Sequence, residues 1–405
     1  LLYPTVDDKY YTLAELKEAL KNNQTDKNGK LVVLYASNKD AQHSYIDIAK
    51  ERGYQVLLLD SPIVSHLIQK LEADNENLTF TRVDSDHIDK LIQKEDIVPT
   101  QANGKIFKAA PIFIFVFIFT GFSFLPLSPG WQGASIPSAL FLLLAILSLD
   151  VIGIMMAGWS SNNKYSTLGT LRAAAQIISY EVPLALSVLC ACVVCQSLDL
   201  QEISYQQGIL LQQPMGHESD QNYLLGVKSW NLSTTTIGGF LTWNIFKMPL
   251  LFVAWIIFFI ASLAESNRAP FDLPEAESEL VGGFHTEYSG FRWAVIMLAE
   301  YAMMLLVSFI GVILFWGSWN TPLPNIGNIK LATWTTGEVG TIAFHLWGIF
   351  WLISKVLMMV GIQIWVRWTF PRLRVDQLMS LSWKYLTPLA LLLLVGCSAW
   401  KIFIA

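Results

Sequence analysis

Four cysteines and six histidines in 405 residues are too few and too scattered for a disulfide framework or a metal cage. Cys190, Cys192, Cys195 and Cys397 all lie in apolar runs. With no histidine or further cysteine nearby, the C-x-C-x-x-C cluster reads as small buried side chains, and neither metal nor disulfide is assigned. No basic run argues for nucleic acid, and the formal net charge is −5. No nucleophile triad is visible, and Gly282-Gly283 does not make a phosphate-binding loop. No basic stretch followed by an apolar one precedes residue 106, so a cleaved secretory signal is not visible. The opening Leu1-Leu-Tyr-Pro reads as the edge of something longer.

Tryptophan is absent from residues 1–100, and all 15 fall in residues 101–405. The first hundred residues carry 12 Lys+Arg against 17 Asp+Glu, whereas the remainder carries 15 of each sign. This contrast predicts a mildly acidic soluble domain, residues 1–96, fused to a neutral membrane domain, residues 97–405, because Trp favours membrane–water interfaces. Apolar runs near twenty residues predict seven spans, at about 109–127, 138–158, 172–196, 240–263, 293–316, 338–360 and 384–404. If the chain alternates sides, one side receives Lys105, Lys108, Lys164, Arg172, Arg268, Arg292, Arg367, Arg372, Arg374 and Lys384. The other receives Lys228, Lys247, Lys330 and Lys401. The basic side, which holds the soluble domain, is therefore expected in the cytoplasm. The polar stretch 197–238 reads as an external loop, with His217 a surface residue. The expected fold is mainly α, a polytopic membrane helix bundle behind a small soluble α/β unit.

Acids inside and between the apolar runs are the feature that points to chemistry. Glu265, Arg268, Asp272, Glu275, Glu277, Glu279, Glu287, Arg292 and Glu300 crowd between two candidate spans. An ionised side chain near the centre of a spanning helix costs roughly 2.5–3.5 kcal/mol, so such residues mark a proton path or a ligand site. Glu181 sits two residues before Pro183, where a helix loses a backbone hydrogen bond. At 3.6 residues per turn, Arg172, Gln176 and Ser179 share one stripe and Glu181 lies about half a turn away, giving that helix two polar faces. Glu265 closes one span and Glu300 lies in the next, so antiparallel helices bring both to one cavity, where their titration is coupled. Asp150 is a further intramembrane acid. Lys355 is either its partner or reaches the interface on its long stem. Arg367, Arg372 and Arg374 alternate with aromatics before Asp376, which suits either a ligand site or ordinary positive-side anchoring.

The words Ala264-Glu-Ser-Asn-Arg-Ala-Pro-Phe-Asp-Leu273, Glu277-Ser-Glu-Leu-Val281 and Ala299-Glu-Tyr301 resemble the NuoH family, the quinone-proximal membrane subunits of respiratory complex I. Ala157-Gly-Trp-Ser-Ser161, Leu171-Arg-Ala-Ala-Ala-Gln176, Ser179-Tyr-Glu-Val182 and Phe370-Pro-Arg-Leu-Arg-Val-Asp-Gln-Leu-Met379 agree independently. The resemblance runs from about Glu95 to the end. It implies a proton-translocating NADH:quinone oxidoreductase in a bacterial inner membrane, with quinone (menaquinone or ubiquinone) as substrate and no redox centre in this chain. Glu181, Glu265, Glu275, Glu277, Glu279 and Glu300 then match an acidic proton path, to which Asp150 is added as a candidate. Arg172, Arg268, Asp272, Phe284, Phe291, Arg292, Arg367, Arg372, Arg374 and Asp376 border or support the quinone site. Iron–sulfur subunits, antiporter-like subunits and membrane lipid are the implied partners. The nearest rival is the homologous membrane anchor of a hydrogenase built from several subunits, and the ordered Glu265-to-Glu279 block favours complex I. Family members start with a further helix and a basic segment, so a first helix is expected to be missing here.

In the first hundred residues, strands are expected at Gly29–Tyr35, Gln55–Asp60 and Thr79–Asp84 and a helix at Ser44–Gly53, a parallel α/β unit. His43, His66 and His87 carry no expected role. Asp8-Lys-Tyr-Tyr-Thr-Leu13, Lys50-Glu-Arg-Gly-Tyr-Gln-Val-Leu57 and Arg82-Val-Asp-Ser-Asp86 resemble the end of the middle domain of the chaperone HtpG. Without that chaperone's ATP-binding and dimerisation domains, no chaperone activity is implied. Lys94-Glu-Asp96 fits both families, so the chain reads as a chimera joined there.

Overall fold

The computed structural model leaves outside its description residues 1, 7–9, 21–23, 25–29, 38–41, 43–45, 48, 50–53, 60–63, 65–67, 69, 73–74, 76–77, 84–97, 100, 210–237, 274–281, 326–329, 338–339 and 404–405. The chain divides into two compact units, Leu1–Ile97 and Val98–Ala405.

In the first unit, β1 (Leu2–Pro4) and β2 (Tyr10–Thr12) pair antiparallel. They are followed by α1 (Leu13–Leu20), then β3 (Leu31–Ala36), β4 (Val56–Leu58) and β5 (Leu78–Arg82). β3 lies between β4 and β5 and is parallel to both. The run Leu-Val-Val-Leu-Tyr-Ala of β3 is apolar throughout because a parallel strand is covered on both faces. Val32, Leu34 and Ala36 join one apolar cluster, and Val33 joins another with Leu16 and Leu20 of α1. Thr12 and Glu15 cap α1 reciprocally, the Thr12 N–H donating to Glu15 Oε2 at 2.9 Å. These bonds hold the Glu15 carboxyl below its ordinary range. Most of the expected helix Ser44–Gly53, with His43, His66 and His87, lies outside the described residues.

The second unit is a helix bundle. Its main helices are α2 (Gly104–Phe122), α3 (Ala139–Ser160), α4 (Lys164–Cys195), α5 (Pro249–Glu265), α6 (Gly290–Phe315), α7 (Ile342–Thr369) and α8 (Val375–Phe403). Six are long and apolar enough to cross a membrane, whereas α5 has only 17 residues. The expected span at 240–263 is therefore corrected. It is broken into a 3₁₀ turn (Phe240–Thr242), a helical turn (Asn244–Lys247) and α5. Pro249 has no N–H to extend a helix backwards, and it disfavours helical geometry at Met248, whose φ is −139°.

α6 is the bundle's axis: 78% of its apolar window is buried, against 28% for α7 and α8, which present broad apolar faces outward. α4 packs against α3, α5 and α8, and α6 against α2, α5 and α7. A hairpin of β6 (Pro126–Ser128) and β7 (Trp131–Gln132) leans on α7, where the His345 ring stacks on Trp131 and its Nδ1 lies 2.9 Å from Ser128 Oγ.

The stretch expected as a plain external loop is partly structural. Asp199 caps a short helix, Leu200–Tyr205, and Gln207 Nε2 donates to Ile313 O at 2.7 Å. Asn244 Nδ2 donates to Leu314 O at 2.8 Å, so two side chains satisfy carbonyls that the end of α6 leaves unpaired. His217 lies outside the described residues.

Candidate functional site: a buried row of carboxylates

Three helices bring buried acids to one cavity. Glu265 ends α5 and is 3% exposed, Asp150 lies midway along α3 at 6%, and Glu300 lies in α6 at 9%. All three line one cavity, with Ser266, Asn267 and Phe284. The cavity's water-accessible space is about 10 Å³, roughly what a single water requires. Asp150 Oδ1 and Glu265 Oε2 have no hydrogen-bond partner among the described residues. Buried carboxylate oxygens are rarely left that way, which sets these two apart from the other polar groups of the bundle. Carboxylates that share a cavity, as Asp150, Glu265 and Glu300 do, raise one another's proton affinity. Glu181 itself accepts a hydrogen bond from Ser148 of α3. The result is a group of acids drawn from α4, α5, α3 and α6.

Positive groups meet this row at Glu300. Arg268 Nη2 lies 3.9 Å from Glu300 Oε2, and its guanidinium sits 4.2 Å from the centre of the Tyr301 ring. At that separation the pair is an ion pair rather than a hydrogen bond. His285 Nε2 lies 3.1 Å from Glu300 Oε1, and the imidazole is 6% exposed. His285 comes from a 3₁₀ turn, Gly283–His285, folded back beside α4 and α3. Gly283 has φ +57°, and a Cβ added at Gly169 of α4 would lie 2.8 Å from its Cα, so glycine is required on both sides of this approach. Beyond the turn, Tyr288 stacks on Phe107 at 4.2 Å and donates to Phe107 O at 3.3 Å. Burial pushes its phenol up to about 12, against the opposing pull of Ser160 and Arg292, so it remains a donor.

Gln176 of α4 fixes the chain as it leaves α5. Its Nε2 donates to Ala264 O at 2.8 Å, Asn267 Oδ1 at 3.3 Å and Phe271 O at 2.8 Å. One turn on, Ser179 O accepts from Ser382 Oγ at 2.6 Å, and Tyr180 Oη donates to Leu378 O at 2.9 Å. The two polar faces of α4 thus meet different neighbours, Gln176 and Ser179 toward α5 and α8, Glu181 toward α3.

A family model described as NADH dehydrogenase matches residues 85–398. The chain belongs to the NADH dehydrogenase family. The NADH-quinone oxidoreductase H-subunit 2 of Cytophaga hutchinsonii is 56% identical over 314 residues, which is 78% of this chain and 85% of that protein. The NADH-quinone oxidoreductase H-subunit of Chlorobium luteolum is 46% identical over 315 residues, covering 78% and 76%. Its counterpart of the same name from a Geobacillus species is 41% identical over 303 residues, 75% of each chain. The NADH dehydrogenase match takes in every residue of the carboxylate row.

Within this NADH dehydrogenase framework the other expected site residues fall in several places. Arg372 Nη2 pairs with Asp272 Oδ2 at 2.9 Å, and Leu373 N donates to Pro270 O at 3.1 Å. The loop before α8 is thereby tied to the one after α5. Asp376 lines an open groove at the start of α8 with Lys384 and Tyr385. Arg367 and Arg374 are exposed, and Arg172 is half-buried. The Arg292 guanidinium lies 5.6 Å from the centre of the Phe107 ring. Phe284 is buried against the cavity, but Phe291 is 77% exposed and does not reach it. Glu275, Glu277 and Glu279 lie outside the described residues. Lys355 is neither the partner of Asp150 nor at the interface: its Nζ donates to Ser318 O at 2.9 Å and Asn320 O at 2.6 Å, above the Trp243 ring. The four cysteines are buried and free. Reading the sequence missed His285, because a single histidine in a polar loop looks like a surface residue. Its signal was the neighbouring Gly282-Gly283, which permits a tight return.

Proposed function

We propose that this chain is the membrane subunit of a proton-translocating NADH:quinone oxidoreductase that forms part of the quinone site and carries the first part of the proton path. The observation that carries this reading is the single cavity lined by the buried carboxylates Glu265, Asp150 and Glu300 from three helices, with the half-buried Glu181 of α4 bonded to Ser148 of α3. Acids so placed respond together to a change of charge at one end. Reduction of a quinone supplies such a change, because each electron it receives draws a proton. In this reading Glu275, Glu277 and Glu279 belong to the same proton path by family resemblance, while Arg268, Asp272, Arg372 and the half-buried Arg172 support the quinone entrance. Arg292, together with the exposed Phe291, Arg367, Arg374 and Asp376, faces the quinone-module partner.

Electrons come from an iron–sulfur centre in a partner protein, and protons leave toward antiporter-like subunits. The chain alone is therefore inactive. It sits in the bacterial cytoplasmic membrane with the acidic loop, the arginine-rich loop and residues 1–96 in the cytoplasm, as the ten-to-four lysine and arginine asymmetry suggests. Residues 1–96 are read as a segment of HtpG middle-domain origin joined at Lys94-Glu-Asp96. Single long genomic reads across codons 85–110 test that joining, and an interrupted read would assign it to sequence assembly.

Substituting Glu181→Gln or Glu265→Gln in the assembled complex is expected to lower quinone reductase turnover and coupled pumping at least about tenfold, within the usual range for a proton-transfer group. Wild-type rates and an unchanged proton-to-electron ratio in both variants would refute the assignment.

A further inference from the structure

Glu300 is held between two cations of different kind. Arg268 approaches Oε2 at 3.9 Å and His285 approaches Oε1 at 3.1 Å. A guanidinium keeps its proton at any physiological pH, so it compensates charge but cannot pass a proton on. An imidazole ordinarily titrates near neutrality, at about 6.5, and can take a proton at one ring nitrogen and release one from the other. Geometry alone therefore distinguishes the two sides of this carboxylate: one is an electrostatic clamp, the other a route.

The position of His285 suits that route. Glu300 lies roughly 15 Å along α6 from its start, at 1.5 Å per residue. The turn Gly283–His285 carries an imidazole down to it from the acidic loop, fifteen residues earlier in the chain. Ser166 of α4 donates to Phe284 O at 3.4 Å, and the Gly169–Gly283 approach and the Tyr288–Phe107 stack hold the turn on both sides. Among the described residues, the charged and titratable groups on the surrounding elements include Lys105 and Lys108 on α2, Asp150 on α3, Lys164, Arg172 and Glu181 on α4, Glu265 and Arg268 at the end of α5, Glu300 and Tyr301 on α6, and Glu287, Tyr288 and Arg292 beyond the turn. His285 is a proton-exchanging side chain within hydrogen-bond reach of Glu300.

We propose that His285 is the proton donor and acceptor through which the acidic loop exchanges protons with Glu300, and hence with the buried carboxylate row. In the forward step the imidazolium Nε2–H gives its proton to Glu300 Oε1, leaving neutral imidazole and a carboxylic acid. A proton arriving at the imidazole then restores the cation, and Glu300 passes its proton to one of the carboxylates that line the same cavity, Asp150 or Glu265. No electron moves, and charge balances at each step. The inference rests on the proposed proton path and adds its point of entry.

The test uses the assembled complex in sealed vesicles. His285→Asn and His285→Gln keep a polar side chain beside Glu300 but cannot carry a proton. Both are expected to lower coupled turnover at least tenfold and to change its pH profile, with assembly intact. Glu300→Gln serves as the control for the path itself. If both histidine variants keep the wild-type rate and pH profile while Glu300→Gln is impaired, the role of His285 is overturned and the path stands. If Glu300→Gln is silent as well, the path falls with it. A reading without any variant comes from infrared difference spectra of the complex with ¹⁵N-labelled histidine. Reduction is expected to shift imidazole bands, and their absence overturns the proposal even where the variants do not assemble.

Discussion

Gln176 makes three hydrogen bonds through one nitrogen, and two go to main-chain carbonyls at the end of α5 and in the loop beyond. Leaving a buried acceptor without a partner costs about 1–3 kcal/mol, more than a typical hydrogen bond contributes. Gln176→Leu is therefore expected to lower the thermal midpoint of the detergent-solubilised complex and to slow quinone reduction, since the loop it releases carries Arg268. A midpoint equal to wild type would show that the loop holds itself. This residue also marks what was legible in advance. The stripe of Arg172, Gln176 and Ser179 could be read from helical periodicity, and the acids stood out because charge inside an apolar run is costly. The partners of Gln176 could not be read, because they are backbone atoms placed by the irregular chain from Ser266 to Phe271.

At the scale of elements, the closest approach in the site is the one between α4 and the 3₁₀ turn, at Gly169 and Gly283. The neighbour there is backbone, which cannot rotate away as a side chain can. Gly169→Ala should push the turn off α4 and move His285 from Glu300, lowering coupled turnover several-fold while membrane insertion continues. Overpacking of this kind typically costs about 1–3 kcal/mol. A fully active variant would place the turn elsewhere. The break before α5 was present in the sequence as Pro249, yet a hydropathy window averages across it. Pro111 and Pro183 lie inside helices that continue past them, and α8 continues through a π-helical turn, Leu381–Leu386, and Pro388.

For the whole molecule, each unit has its own apolar clusters among the described residues: those around β3 in the first, and one large cluster in the helix bundle. Deleting residues 1–94 is expected to leave membrane insertion of the remainder unchanged, as judged by protease protection and carbonate extraction. Loss of insertion would show that the front unit is integral to the bundle. The boundary between two compact units near residue 97 lies where the distribution of tryptophan and charge changes along the chain.

The brevity of α5 has a consequence for the lipid around it. Seventeen helical residues rise only about 25 Å, short of the roughly 30 Å of a hydrocarbon layer. A bilayer meeting this helix must thin locally or be kept away by neighbouring helices. Where lipid reaches α5, the depth of Glu265, its last residue, is expected to follow hydrophobic mismatch, so a thicker bilayer should shift the complex's turnover.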